Sequence, residues 1–142
     1  MKRTFVILSV IAALVLPASC AREGTLYDMP EGSACVSFPS GTAIFDMTAA
    51  DGNKIAIELW RGNTKNAVSV PVTVTDETGG LFTPAKQQFD FSAGEAIARL
   101  EFTYPDFNTL GEGIYTFRVA VSDASHLSPS GIDAVTVKAQ RK

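Results

Sequence analysis

Lys86-Gln-Gln-Phe89-Asp-Phe91-Ser-Ala-Gly94-Glu95, then Ala96 to Tyr104, Leu110-Gly-Glu-Gly-Ile-Tyr115 and Thr116 to Asp123, is the stretch that decides the fold. Phe89 and Phe91 flank Asp90, the alternation of a strand with one buried face. Ser92 to Glu95 is small and polar and turns the chain. Ala98, Leu100, Phe102 and Tyr104 then share one phase, with Arg99, Glu101 and Thr103 in the other. Tyr115, Phe117, Val119 and Val121 repeat the pattern. Three such runs with short punctuation predict antiparallel pairing, since a parallel crossover needs a dozen or more residues.

Outward from there the same grammar continues. Short strands are expected over Ala34 to Phe38 and Thr42 to Met47. Lys54 to Trp60 places Ile55, Ile57 and Leu59 in one phase, and Ala67 to Thr75 does so with Val68, Val70, Val72 and Val74. Pro71 has no N–H to give to a ladder, so that strand is expected at an edge or with a bulge. Asp133 to Ala139 closes the series with Val135 and Val137. The expected core is Ile55, Ile57, Leu59, Val68, Val70, Val72, Phe89, Phe91, Leu100, Phe102, Tyr115, Phe117, Val119 and Val135, each worth about 1.5–3 kcal/mol when fully buried. Seven to nine short strands in about a hundred residues predict an all-β, immunoglobulin-like Greek-key sandwich of antiparallel strands. Leu110-Gly-Glu-Gly-Ile-Tyr115 fits a tyrosine corner, in which Tyr115 sends its hydroxyl back to backbone a few residues upstream.

The start of the chain is of another kind. Met1-Lys2-Arg3 is basic, Phe5 to Leu16 is apolar apart from Ser9, and Pro17-Ala-Ser-Cys20 follows. This is a secretory signal, with an apolar run too short for a typical membrane span. Cys20 after Ala18-Ser19 resembles a bacterial lipobox, despite Pro17 where an aliphatic residue is usual. The expected organisation is a signal peptide over 1–19, lipidation at Cys20, a tether over 20–33 and the sandwich over 34–142. The rival reading is ordinary cleavage near Ala21.

Without the signal, loss of Lys2 and Arg3 leaves 10 basic residues against 15 acidic, a net charge of −5. That charge and the lack of a basic cluster exclude a nucleic-acid surface. Two cysteines exclude a cysteine-built metal site; a lipid on Cys20 would leave Cys35 without an intrachain disulfide partner, whereas without the lipid the two could pair.

From Lys54 onward the chain resembles the Calx-β-like sandwich domains, above all those of Bacteroidota surface lipoproteins. The resemblance rests on Ile55-Ala-Ile-Glu-Leu-Trp-Arg61, Val68-Ser-Val-Pro-Val-Thr-Val74, Phe91-Ser-Ala-Gly-Glu95 and the Tyr115 strand, about three-quarters of the mature chain. It implies an outer-membrane lipoprotein, periplasmic or surface-facing, held to the membrane by its lipid. Such domains often precede a ligand-binding or catalytic domain; here Lys142 follows the last strand directly, and no second domain is expected. Some members bind calcium through acidic loops. Asp46 and Asp123 match two of those positions, but the paired aspartates are reduced to one and the Asp-Tyr motif is replaced by Glu77-Thr-Gly-Gly-Leu-Phe82. Calcium wants six to eight oxygens, so no metal and no cofactor is expected.

Candidate chemistry is sparse. His126 is the only histidine and lies near Asp123, Ser125 and Ser128, but neighbours in one loop rarely converge as a triad with an oxyanion hole. Trp60 stands in the phase opposite Ile55, Ile57 and Leu59, beside Arg61, and these two are the candidate binding residues: a sugar-stacking platform or a protein anchor, against the plainer role of packing on the stem of Arg61. The function expected is therefore a non-catalytic, lipid-anchored envelope module that binds glycan or protein or acts as a spacer. The alternatives are a fragment or accessory of an envelope hydrolase, and a calcium-binding domain.

Overall fold

The computed structural model describes residues 32–142. The expected signal peptide, Cys20 and nearly all of the tether lie outside the described residues. Nine strands follow in order: β1 (Val36–Ser37), β2 (Thr42–Asp46), β3 (Lys54–Arg61), β4 (Val68–Asp76), β5 (Thr83–Pro84), β6 (Gln88–Phe91), β7 (Ile97–Thr103), β8 (Gly113–Val121) and β9 (Ala134–Arg141). They form a sandwich of two sheets. Sheet I has the order β1-β3-β7-β5 and sheet II the order β2-β9-β8-β4-β6.

The organising runs do not pair with one another. β6 lies in sheet II, β7 in sheet I and β8 in sheet II, and the chain changes sheet at every connection from β1 to β8. Only β8 and β9 are consecutive partners, with Phe117 opposite Val137 and Val119 opposite Val135. Alternation specifies a buried face and leaves the partner open; here each run turns that face toward the sheet across the core. Nor is every pair antiparallel, because β2 runs parallel to β9, with Ile44 beside Lys138.

Pro71 also departs from expectation. β4 is interior, between β8 and β6. Its first half pairs with β6, Val68 opposite Phe91, and its second half with β8, Val72 opposite Val121. Pro71 stands at the change of partner, where its carbonyl accepts from the Ser122 N–H at 3.0 Å. The donor it lacks is the last one of the β8 ladder, so the sheet loses little.

Phe38, Phe89, Phe102, Phe117, Leu59, Val36, Val70, Val119 and Val137 are fully buried. Phe102 and Phe117 meet across the two sheets with ring centroids 4.7 Å apart, and Phe82 packs on Phe117 at 4.5 Å. Of the expected core, Val68 and Tyr115 are only partly buried. Val36, Phe38 and Phe82 join it from segments too short to show a period. Among the described residues burial begins at Ser33, whose carbonyl accepts from Asn63 Nδ2 at 3.0 Å.

Candidate functional site: the outer face of sheet I

β3 sends Ile55, Ile57 and Leu59 inward and the alternate residues outward. The register then sets a row across the sheet: Ser37 of β1 opposite Trp60 of β3, and Trp60 opposite Ile97 of β7. The next row pairs Glu58 with Arg99. Trp60 is 47% exposed and Ile97 45%, so an aromatic and a branched aliphatic side chain lie side by side in solvent.

The indole is held in place. Its Nε1 donates to Glu58 Oε2 at 3.2 Å, while Arg99 Nη2 and Nε both donate to Glu58 Oε1, at 2.9 and 3.1 Å. The Trp60 N–H, and next the Arg99 guanidinium, keep the Glu58 carboxyl below its ordinary range. Beside this row is a shallow cavity of about 410 Å³ lined by Asp90, Glu95, Ile97, Ala98 and Arg99. Asp90 accepts from Lys86 Nζ at 2.6 Å, Ser69 Oγ at 2.7 Å and Gln88 Nε2 at 2.6 Å. The Lys86 contact first, then the Ser69 hydroxyl, hold its carboxyl down at about 2. Asp90 therefore stays ionised at neutral pH, with its cation already beside it.

Arg61 is placed elsewhere. It is buried, and its guanidinium donates to three backbone carbonyls: Glu95 at 2.6 Å, Asn66 at 2.7 Å and Ser92 at 2.6 Å. It also lies 4.8 Å over the Phe91 ring. The expected ligand contact from Arg61 gives way to a structural one, because the strand alternation that exposes Trp60 turns Arg61 inward. Of the turns it clamps, 62–66 and 92–95, the second supplies Glu95 to the cavity wall. Tyr115 stands near the start of β8 in the other sheet, its hydroxyl donating to the Gly111 carbonyl at 2.7 Å.

The remaining candidates are dispersed. Asp46 is opposite Gln140, which is opposite Ile114 at the start of β8, whereas Asp123 follows the far end of that strand. Asp46 is paired with Lys142 Nζ at 3.0 Å, and Asp123 Oδ1 accepts from both the N–H and the hydroxyl of Ser125, at 3.0 and 2.6 Å. No group of three or more His, Cys, Asp or Glu among the described residues could hold a metal. His126 Nδ1 accepts from the Ala34 N–H at 3.5 Å, and its Nε2 lies 4.0 Å from Asp123. The serine thus bonds to the aspartate and not to the imidazole, which is not the relay a hydrolase needs.

Glu58, Arg99, Ser37, Ile97 and Asp90 were not singled out from the sequence. Glu58 and Trp60 are two apart on one strand, which is a readable signal. The others enter only through register, which the sequence leaves open.

Neither a family profile nor a curated protein matches the chain. Solved structures do. The calcium-binding domain CBD12 of CALX1.1 aligns at TM-score 0.55 and 17% identity, over 75% of this chain and 44% of that one. A candidate carbohydrate-binding protein from Bacteroides ovatus aligns at 0.50 and 15%, over 75% and 36%. A two-domain protein of unknown function from Bacteroides fragilis aligns at 0.51 and 11%, over 80% and 47%. The chain spans less than half of each. At such identities the likeness shows the fold alone, an immunoglobulin-like β-sandwich similar to the one in the Calx-β domain.

Proposed function

We propose that this chain is a non-catalytic, lipid-anchored module of the bacterial cell envelope that binds neutral glycan on the outer face of sheet I. The observation that carries the reading is the exposed Trp60 indole, fixed by Glu58 and Arg99 with Ile97 beside it. An exposed indole whose rotamer is already fixed by a hydrogen bond stacks on the C–H face of a pyranose with little further loss of side-chain entropy. Hydroxyls at the ring edge then find acceptors and donors in Glu58, Arg99 and Asp90. Charge favours an uncharged sugar. Glu58 is matched by Arg99 and Asp90 by Lys86, leaving no unpaired cation at the row to draw an acidic glycan. The carbohydrate-binding description of the Bacteroides ovatus protein is in keeping with this reading.

Retardation in native gels cast with neutral polysaccharides such as dextran or laminarin tests it. Trp60→Ala should abolish the retardation and leave the unfolding midpoint in place; equal retardation of both proteins would refute the platform. The anchor is tested apart. Cys20→Ser should release the protein from membranes, because several acyl chains together hold firmly where one does not. Unchanged fractionation of that variant would remove the lipoprotein reading.

A further inference from the structure

On one side of the sandwich both sheets end in edges that no described strand covers. β1 lies along β3 only at Trp60 and Arg61. Beyond Phe38, Pro39-Ser40-Gly41 carries the chain over to sheet II, where β2 pairs with β9. From Lys54 to Glu58, β3 has β7 on one flank and no described strand on the other.

Register decides which backbone groups this leaves open. The Arg61 N–H donates to the Ala96 carbonyl, and the Gly62 N–H donates to the Cys35 carbonyl on the opposite flank. Odd-numbered residues of β3 therefore bond toward β7, and even-numbered ones toward the β1 side. Ala56 and Glu58 turn both N–H and C=O outward past the end of β1. On β2, the Thr136 N–H donates to the Gly41 carbonyl and the Met47 N–H to the Gln140 carbonyl, so Thr42, Ile44 and Asp46 face away from β9. Thr42 is closed locally: Ser40 Oγ accepts from its N–H at 3.2 Å and donates to its carbonyl at 2.9 Å. Between the two edges runs a groove of about 270 Å³, its floor made by Phe38, Ala43, Phe45, Ile57 and Val135.

We propose that this groove is a strand-docking site, in which an extended segment of another protein adds to the Lys54–Glu58 edge of β3 along the line β1 abandons. Two observations name a polypeptide as the occupant. Donor and acceptor repeat on Ala56 and Glu58 at the two-residue spacing of a strand, which another backbone matches. The groove also continues an existing antiparallel pairing, β1 on β3, so the incoming chain meets a formed ladder. Side chains facing the Ile57 level enter the apolar floor, which asks for apolar residues at alternate positions. The charges flanking the edge are already matched, Lys54 with Glu101 and Glu58 with Arg99, so backbone and apolar burial do the recognising. This inference stands independently of the glycan reading.

The test uses amide hydrogen exchange on the full chain, with a synthetic seven-residue peptide alternating Val and Thr as probe. The Ala56 and Glu58 amides should exchange at least about tenfold more slowly with saturating peptide. The same peptide N-methylated on its β3-facing amides should give no slowing. Ala56→Pro removes only an outward N–H, which an edge position tolerates, and should weaken peptide binding with the unfolding midpoint kept. The N-methylated control decides the matter even if that variant folds poorly. The proposal is overturned if exchange is unaffected by the peptide or if the N-methylated peptide protects equally. It is also overturned if both amides are already slow in the free protein, or if protection grows with protein concentration alone, the mark of a second copy.

Discussion

Two tyrosines show what a phenol does for this sandwich. Tyr115 is half-buried, and its hydroxyl donates to the Gly111 carbonyl at 2.7 Å. Tyr104 is buried beside Phe82, and its hydroxyl has no hydrogen-bond partner among the described residues. Burial, and then the nearby Asp51 carboxylate, raise its pKa. The same substitution should therefore act in opposite directions. Tyr115→Phe removes a made bond at an accessible site and should cost about 0.5–1.5 kcal/mol. Tyr104→Phe removes a desolvated hydroxyl with nothing to donate to, and should be neutral or stabilising by up to about 1 kcal/mol. Denaturant midpoints of the two variants, measured at constant m, check the pair; a loss at Tyr104 larger than at Tyr115 would reverse the assignment. Tyr115 was legible as a strand residue, and Tyr104 by its phase, although it stands one residue past the end of β7. Their hydroxyl partners were legible only for Tyr115, whose acceptor is local in sequence.

At the scale of elements, β3 ends in a residue that ties two turns together. Arg61 is buried and serves carbonyls from 62–66 and 92–95 at once. Arg61→Met should cost about 2–4 kcal/mol, since three carbonyls lose a charged donor. Arg61→Lys should recover little, because an ammonium is a point donor and cannot reproduce the fork. Thermal unfolding of the two variants decides whether the fork or the bulk matters. β6 is joined to its surroundings by Asp90, through Ser69 of β4 and Lys86. With the folded pKa at about 2 and the ordinary value at 3.8, the unfolded chain takes up the proton first as pH falls. The stabilisation is thus complete above the ordinary value and is lost on acidification toward the folded one. Asp90→Asn should flatten the acid limb of the stability curve between about pH 4 and 2 and lower stability at neutral pH by the same, solvent-screened amount. An unaltered acid limb would remove Asp90 from the account.

At the scale of the whole molecule, period-two alternation made the sandwich readable, because Ile55-Ile57-Leu59 or Phe117-Val119 can be buried only on one face of a strand. It could not show that β6, β7 and β8 alternate between sheets, that β2 lies parallel to β9, or that Arg99 comes to Glu58, since these are contacts between residues distant in sequence. The outward phase of Trp60 was readable; the inward turn of Arg61 followed from the same alternation and was hidden by its charge. Calcium is where the whole-molecule geometry bears on function, given the likeness to a calcium-binding domain. Asp46 and Asp123 lie toward opposite ends of β8, roughly 30 Å apart for a nine-residue strand. Asp76, at the end of β4, accepts at Oδ2 from the Phe82 N–H and at Oδ1 from the N–H and hydroxyl of Thr78, so its oxygens already order the 77–82 loop. None of these carboxylates belongs to a group of three or more His, Cys, Asp or Glu that could hold a metal among the described residues, whereas calcium gathers six to eight oxygens. Millimolar calcium should accordingly leave the melting temperature unchanged, and chelator should not lower it. A ligand that binds only the native state must raise that temperature in proportion to the logarithm of its saturation, so a clear rise with calcium, reversed by chelator, would establish a site that these carboxylates do not form.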